Sequence, residues 1–175
     1  LYRSRRGADA ERLQRGASTG AAMGVALRPI ARDDAESVVG MAHEFGAYLK
    51  SLGDAWEPHF TVARYLEDGF GTQPAFGGII AEEGGQPLGY LLHAPNYDVD
   101  LACRVLFVID LWVRPWTRRL GVGRKLMDAA AKEARRQKAG YLLWTVYKPN
   151  TMARRFYDGI GGKPVEDLDF MVLRI

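Results

Sequence analysis

The chain has 175 residues, 47% hydrophobic and 26% charged, with a formal net charge of +3 and a sequence pI of about 9.1. That length suits one domain with a sizeable core, and that composition excludes a disordered chain. The apolar runs are too short to span a bilayer, a single cysteine cannot build a disulfide framework, and three scattered histidines give no metal-ligand spacing.

Residues 1–23 are rich in Arg, Ala and Gly and hold no apolar run of signal-peptide length. They are expected to be an extension outside the fold, and Met23 with the GVALRPI that follows resembles a natural start. A single domain is expected over residues 24–175. Residues 25–30 predict a short strand. From Asp33 onward, Ala35, Val38, Val39, Met41, Ala42, Phe45 and Leu49 recur at helical spacing, with Asp33 and Asp34 suited to the positive end of the helix. Gly53 and Pro58 interrupt it, and a second, shorter helix is predicted over 60–66, ending near Gly69.

Strands are predicted over 75–81 and 88–93, joined through Gly84 and Gly85 by a hairpin-type turn, with a polar loop over 94–102. Residues 104–113 form the strongest strand pattern. Their near-continuous apolar character predicts a central strand covered on both faces. Residues 121–138 predict an amphipathic helix with Leu126, Met127, Ala130 and Ala134 on its apolar stripe, stopped by Gly140. A buried-type strand over 141–147, a helix over 150–160 and a closing strand over 170–173 complete the chain. The expected fold is therefore α/β, in the order strand, two helices, three strands, helix, strand, helix, strand. Antiparallel pairing is combined with one parallel crossover, from 104–113 to 141–147, and a ligand is expected where those two strands part.

The most informative stretch, DLWVRPWTRRLGVGRKL, covers residues 110–126. Arg118, Arg119, Leu120, Gly121, Val122, Gly123 and Arg124 put two glycines and three cations where a strand hands over to a helix. Glycine admits positive φ and close backbone approach, and the first turn of a helix carries unpaired N–H groups with partial positive charge, so the turn is suited to a phosphorylated ligand. Asp110 is the one acid in an apolar strand. An unpartnered buried carboxylate is expensive, so it either pairs with Arg104 or Arg114 or faces a cavity. Tyr157 lies on an apolar helical stripe, and Asn150 stands where a helix cap is needed. Cys103 has no identifiable base and is read as a small structural residue.

RRLGVG, over residues 118–123, resembles the Q/R-x-x-G-x-G/A element of the GNAT superfamily of N-acetyltransferases. Asn150, Ala153, Phe156 and Tyr157 resemble the second half of the same family's cofactor site. YLEDGFG, GYLLHAPNYD and IDLWV are similar to its diamine branch, which acts on polyamines and thialysine. The resemblance implies the GNAT acyltransferase fold and acetyl-CoA as co-substrate, without a metal. The pyrophosphate would lie on the N–H groups of Leu120, Gly121, Val122, Gly123 and Arg124, beside Arg118 and Arg119, with the pantetheine arm along Leu111 and Val113. Asn150 would bond that arm or orient a water, and Tyr157 would protonate the departing thiolate.

Asp110 is expected to face the acceptor, binding its ammonium or receiving its proton through water. The branch usually carries Glu-Asp where this chain has Ile109-Asp110, which removes the carboxylate usually proposed as the base. Tyr97, Asp98, Trp56 and Glu57 lie in segments able to line the acceptor site, but each is read first as a surface or packing residue. The expected protein is a cytoplasmic homodimer that acetylates a primary amine of a diamine-, polyamine- or amino-acid-like molecule. The alternatives are a peptide, antibiotic or other metabolite amine as acceptor, or a non-catalytic module binding acyl-CoA or nucleic acid through the basic clusters.

Overall fold

A computed structural model describes residues 24–165 and 171–173. In chain order it has β1 (Ala26–Pro29), α1 (Ala35–Ser51), α2 (Val62–Phe70), β2 (Gly77–Glu83), β3 (Gln86–Asp98), β4 (Cys103–Val113), α3 (Val122–Arg136), β5 (Ala139–Trp144) and α4 (Thr151–Gly159). The sheet order is β1-β2-β3-β4-β5; all neighbours are antiparallel except β4 and β5, which are parallel. No helix among the described residues is long and apolar enough to cross a membrane.

Gly84 and Gly85, with φ of 55° and 78°, close the β2–β3 hairpin in the two-residue turn whose twist matches its strands. The alternation along β2 and β3 then divides the core. Ile80, Tyr90 and Leu92 pack with Val38 and Met41 of α1 and Tyr65 of α2. Ile79 and Leu91 point the other way, onto Val122, Leu126 and Ala130 of α3. The helical spacing of α1 and α3 and the two-residue period of the strands thus resolve into a helix layer on each face.

One irregularity in β4 sets the site. Leu92 pairs with Asp110 and His93 with Val108, so Ile109 is an extra residue, a β-bulge. Without it, period two would put Asp110 on the same face as Val108, in the apolar layer under α3. With it, Val108, Leu111 and Val113 stay with α3, while Asp110 and Trp112 turn to the α1 side.

Four sequence expectations are corrected. The polar stretch from Ala94 is strand as far as Asp98, because its backbone pairs with β4 down to Cys103 beyond the end of β2. Helix α3 ends at Arg136, and Lys138, at φ 59°, makes the left-handed turn assigned to Gly140. Gly140 instead lies in β5, where a Cβ would come 3.1 Å from the Cys103 sulfur. Strand β5 stops at Trp144 rather than continuing to Tyr147. Of the closing strand expected over 170–173, Phe170 lies outside the described residues, and Met171, Val172 and Leu173 are exposed and outside any strand. The extension at residues 1–23 also lies outside the described residues.

Candidate active site

The parallel pairing of β4 and β5 runs only to Val108 opposite Trp144, and β4 continues alone to Val113. The strands part into a cleft of about 1170 Å³. Asp110, Leu111 and Val113 line it from β4, Trp144 and Tyr147 from β5 and its exit, Asn150, Ala153 and Tyr157 from α4, and Gly121, Gly123 and Arg124 from the start of α3. Phe45, Tyr48, Leu49 and Asp54 close it from α1 and the segment that follows.

At the α3 end, Gly121 caps the helix in the left-handed region, with φ 82°, and no side chain caps its amides. The Lys125 N–H reaches the Gly121 carbonyl at 3.0 Å, so the first-turn amides of Val122, Gly123 and Arg124 have no partner within the helix. Arg119, at φ 62°, also takes a left-handed conformation that costs a side chain energy. The two glycines do different work. Gly121 supplies the backbone angle, and a Cβ there would meet nothing within 4 Å; a Cβ on Gly123 would lie 3.2 Å from Phe156 Cζ, so this glycine lets α3 and α4 meet. Arg124 ties the same helices by donating to the Gly159 carbonyl at 3.0 Å.

The cations of the motif are placed differently from one another. Arg118 turns inward: its Nε donates to the Val113 carbonyl at 3.0 Å, and its guanidinium lies 4.5 Å from the Trp112 ring centre and 5.4 Å from that of Tyr48. Burial lowers its pKa. Arg119 is exposed and lines the cleft, whereas Leu120 is exposed outside it. Asn150 is buried; its carbonyl oxygen accepts from the Ala153 N–H, as an N-cap, and from the Tyr48 hydroxyl, both at 3.1 Å. Only its NH₂ group is left for a ligand.

Asp110 accepts a hydrogen bond from the hydroxyl of Tyr90 and pairs with neither Arg104 nor Arg114. Arg114 instead binds Glu44 of α1 at 3.1 Å, and Glu44 also accepts from the Trp112 indole at 3.1 Å. With no cation beside it, burial pushes Asp110 up to about 6, against the opposing pull of the Tyr90 hydroxyl and the Leu111 N–H. Tyr157 stands between Trp144 and Phe156, each 5.1 Å away between ring centres. Burial, then the charge of Asp110, pushes its hydroxyl up to about 12.

A carboxyl near neutrality and a firmly protonated phenol therefore line one cleft, an arrangement able to take a proton at one point and supply one at another. Tyr48 and Asp54 line this cleft and Tyr90 bonds Asp110 from within the sheet, all without a sequence signal: two come from the α1 region and one from β3. The residues whose segments could have lined the acceptor site have surface or packing roles. Trp56 packs on Gly46 and on His43, 5.8 Å away, Glu57 pairs with Lys50, Tyr97 is exposed, and Asp98 accepts from Tyr141.

The model of the acetyltransferase (GNAT) family matches residues 43–161. An L-ornithine N5-acetyltransferase of Arabidopsis thaliana is 35% identical over 75 residues, covering 43% of this chain and 33% of that enzyme. The match thus spans about a third of the ornithine enzyme's length. A thialysine N-epsilon-acetyltransferase of Caenorhabditis elegans is 29% identical over 128 residues, 73% of this chain and 76% of the other. Among solved structures, an aminoglycoside N-acetyltransferase in complex with CoA shares the fold, with a TM-score of 0.68 and 18% identity over 86% of this chain and 95% of that one.

Proposed function

The chain belongs to the acetyltransferase (GNAT) family, and from that premise we propose that it moves the acetyl group of acetyl-CoA directly to a primary amine of a diamine-, polyamine- or amino-acid-like molecule. One observation carries the reading: an uncapped, glycine-bearing helix start shares its cleft with Asp110 and Tyr157. The residues present suit the co-substrate. The open amides of Val122, Gly123 and Arg124, with Arg119 beside them, would hold the pyrophosphate. The free length of β4 past Val108 offers its backbone and the side chains of Leu111 and Val113 to the pantetheine arm.

Acetyl-CoA supplies the acetyl group activated as a thioester. Asp110, ionised above about pH 6, takes one proton from the acceptor ammonium, directly or through water, and frees the nitrogen lone pair. As the C–N bond forms, an N–H on the splayed edge of β4 donates to the carbonyl oxygen. As the C–S bond breaks, Tyr157 gives its proton to sulfur and regains one that the acylated nitrogen releases. Asp110 and Tyr157 are coupled here: burial chiefly holds Tyr157 protonated, and the lesser part that the Asp110 charge adds disappears when Asp110 takes the ammonium proton, which makes the phenol more acidic when sulfur needs a proton.

One part of the lining supports a cationic acceptor. The cleft's cations, Arg118, Arg119, Arg124 and Arg155, come from the start of α3 and from α4, whereas Asp54 and Asp110 are its carboxylates among the described residues, and Phe45, Tyr48, Trp112, Trp144 and Tyr147 give it aromatic walls. Aromatic faces and carboxylates both favour an alkylammonium. The names of the ornithine and thialysine relatives point the same way. The test is a competition panel of diamines, polyamines, basic amino acids, a peptide amine and an aminoglycoside, with acetylated products read by mass spectrometry. Diamines or basic amino acids are expected to have the highest kcat/KM. Preference for the peptide or the aminoglycoside overturns the substrate class.

A further inference from the structure

We infer that Tyr90 is a positioning residue for this reaction: from within the sheet it pins one carboxylate oxygen of Asp110 and so fixes the direction in which that carboxylate meets the acceptor amine. The inference rests on the role proposed for Asp110. Tyr90 is fully buried, with its ring in the core among α1, α2 and the sheet. In the register of β3 and β4 it stands opposite Trp112, and Asp110 stands opposite Leu92, so the phenol reaches Asp110 along the diagonal of the strand pair. The Ile109 bulge makes this possible by turning Asp110 to Tyr90's face.

A carboxylate on a strand otherwise rotates about two side-chain bonds. A hydrogen bond from a ring that packing holds still removes that freedom, which is how a reacting group is kept in line. Tyr90 has a protonic role as well. Its hydroxyl opposes the upward push of burial on Asp110 and keeps the carboxylate available nearer neutrality. Burial holds Tyr90 itself firmly protonated, so it donates throughout the working pH range.

The other groups around the pair leave this task to Tyr90. Tyr157 of α4 carries no charge at neutral pH and makes no hydrogen bond to Asp110. Glu44 of α1, the other carboxylate whose charge acts on Tyr90, is engaged by Trp112 and Arg114. Arg118 lies over the Trp112 ring and bonds the Val113 carbonyl.

Tyr90→Phe keeps the ring and removes the donor, and pH profiles of kcat/KM for the amine give the test. The acidic limb, expected near pH 6 from the raised Asp110 carboxyl, should move up by about one pH unit, a roughly tenfold loss on that limb, and the plateau above it should stay about threefold lower because the carboxylate has lost its fixed direction. KM for acetyl-CoA should stay within about twofold, since Tyr90 lies away from the pyrophosphate site. On an Asp110→Asn background, Tyr90→Phe should cost nothing further. If Tyr90→Phe does not fold, 3-fluorotyrosine at position 90, a stronger donor of nearly the same shape, should move the limb down.

An acidic limb that neither change moves, or a plateau above the limb that Tyr90→Phe leaves at the parent value, overturns the positioning role. Full activity in Asp110→Asn would instead overturn the reading on which the inference rests. The two failures are thus read from different variants.

Discussion

Asp110 of β4 and Tyr157 of α4 line the same cleft, and the charge of the first adds to burial in raising the proton affinity of the second. Tyr157→Phe removes the donor while its ring stays between Trp144 and Phe156. A fall in kcat of about 10²-fold is expected, at the low end of what a positioned acid contributes. The melting temperature and the affinity for acetyl-CoA should change little. Steady-state kinetics beside thermal unfolding check this, and full turnover would assign protonation of the sulfur to another group.

Asp110→Asn should separate stability from activity. Folding raises this carboxyl from the ordinary 3.8 to about 6, so the fold favours its protonated form. The stabilisation from that preference is complete below about pH 4 and is lost as the pH rises through 6, leaving the native state carrying a buried charge at pH 8. The rise is worth up to about 3 kcal/mol, of which the open cleft leaves roughly 1–2. An asparagine, which can still accept from Tyr90, is expected to stabilise the protein by about that amount at pH 8 and hardly at all at pH 4, while activity falls. Denaturant unfolding at the two pH values reads the difference.

Asp34 should behave oppositely. It accepts from both guanidinium nitrogens of Arg28, at 2.7 and 2.8 Å, and from the Ala31 N–H, and Arg28 also reaches Glu82 at 2.9 Å, tying β1 to β2 and the start of α1. The Arg28 hydrogen bond holds the Asp34 carboxyl below its ordinary range, so its contribution is present above about pH 4 and is lost as the pH falls below it. Arg28→Met is expected to cost about 1–2 kcal/mol at pH 7, a value reduced by the solvent exposure of the arginine, and less at pH 3.

The two glycines before and within α3 should fail differently. Gly121→Ala has room for its Cβ but forces alanine to φ 82°, a cost of about 1–2 kcal/mol. Gly123→Ala presses on Phe156 at 3.2 Å, and its expected effect is a shifted α3–α4 contact with weaker acetyl-CoA binding. Calorimetry with acetyl-CoA, beside thermal unfolding, distinguishes a stability loss at Gly121 from a binding loss at Gly123.

The sequence carried the elements whose signal is local. The apolar stripe Leu126, Met127, Ala130 and Ala134 is buried as its spacing requires, and the strand–turn–helix setting of Gly121 was legible from two glycines and the change of period. What it could not carry depends on pairing. Residues 94–98 are strand because β4 lies beside them, whatever their polarity. The Ile109 bulge is a register event between two strands, invisible in either alone, and it decides that Asp110 meets Tyr90 rather than the apolar layer under α3. Tyr48 reaches Asn150 across 102 positions of sequence, which no local pattern encodes.

The central claim is amine-dependent acetyl transfer in the cleft between β4 and β5, and the most direct measurement is release of free CoA from acetyl-CoA at pH 8 with a diamine acceptor. Saturable, amine-dependent release is expected from the unaltered protein, with an equivalent amount of mono-acetylated diamine and a loss of about 10²-fold in Asp110→Asn and Tyr157→Phe. Release that is independent of amine, or equal in all three proteins, would contradict it.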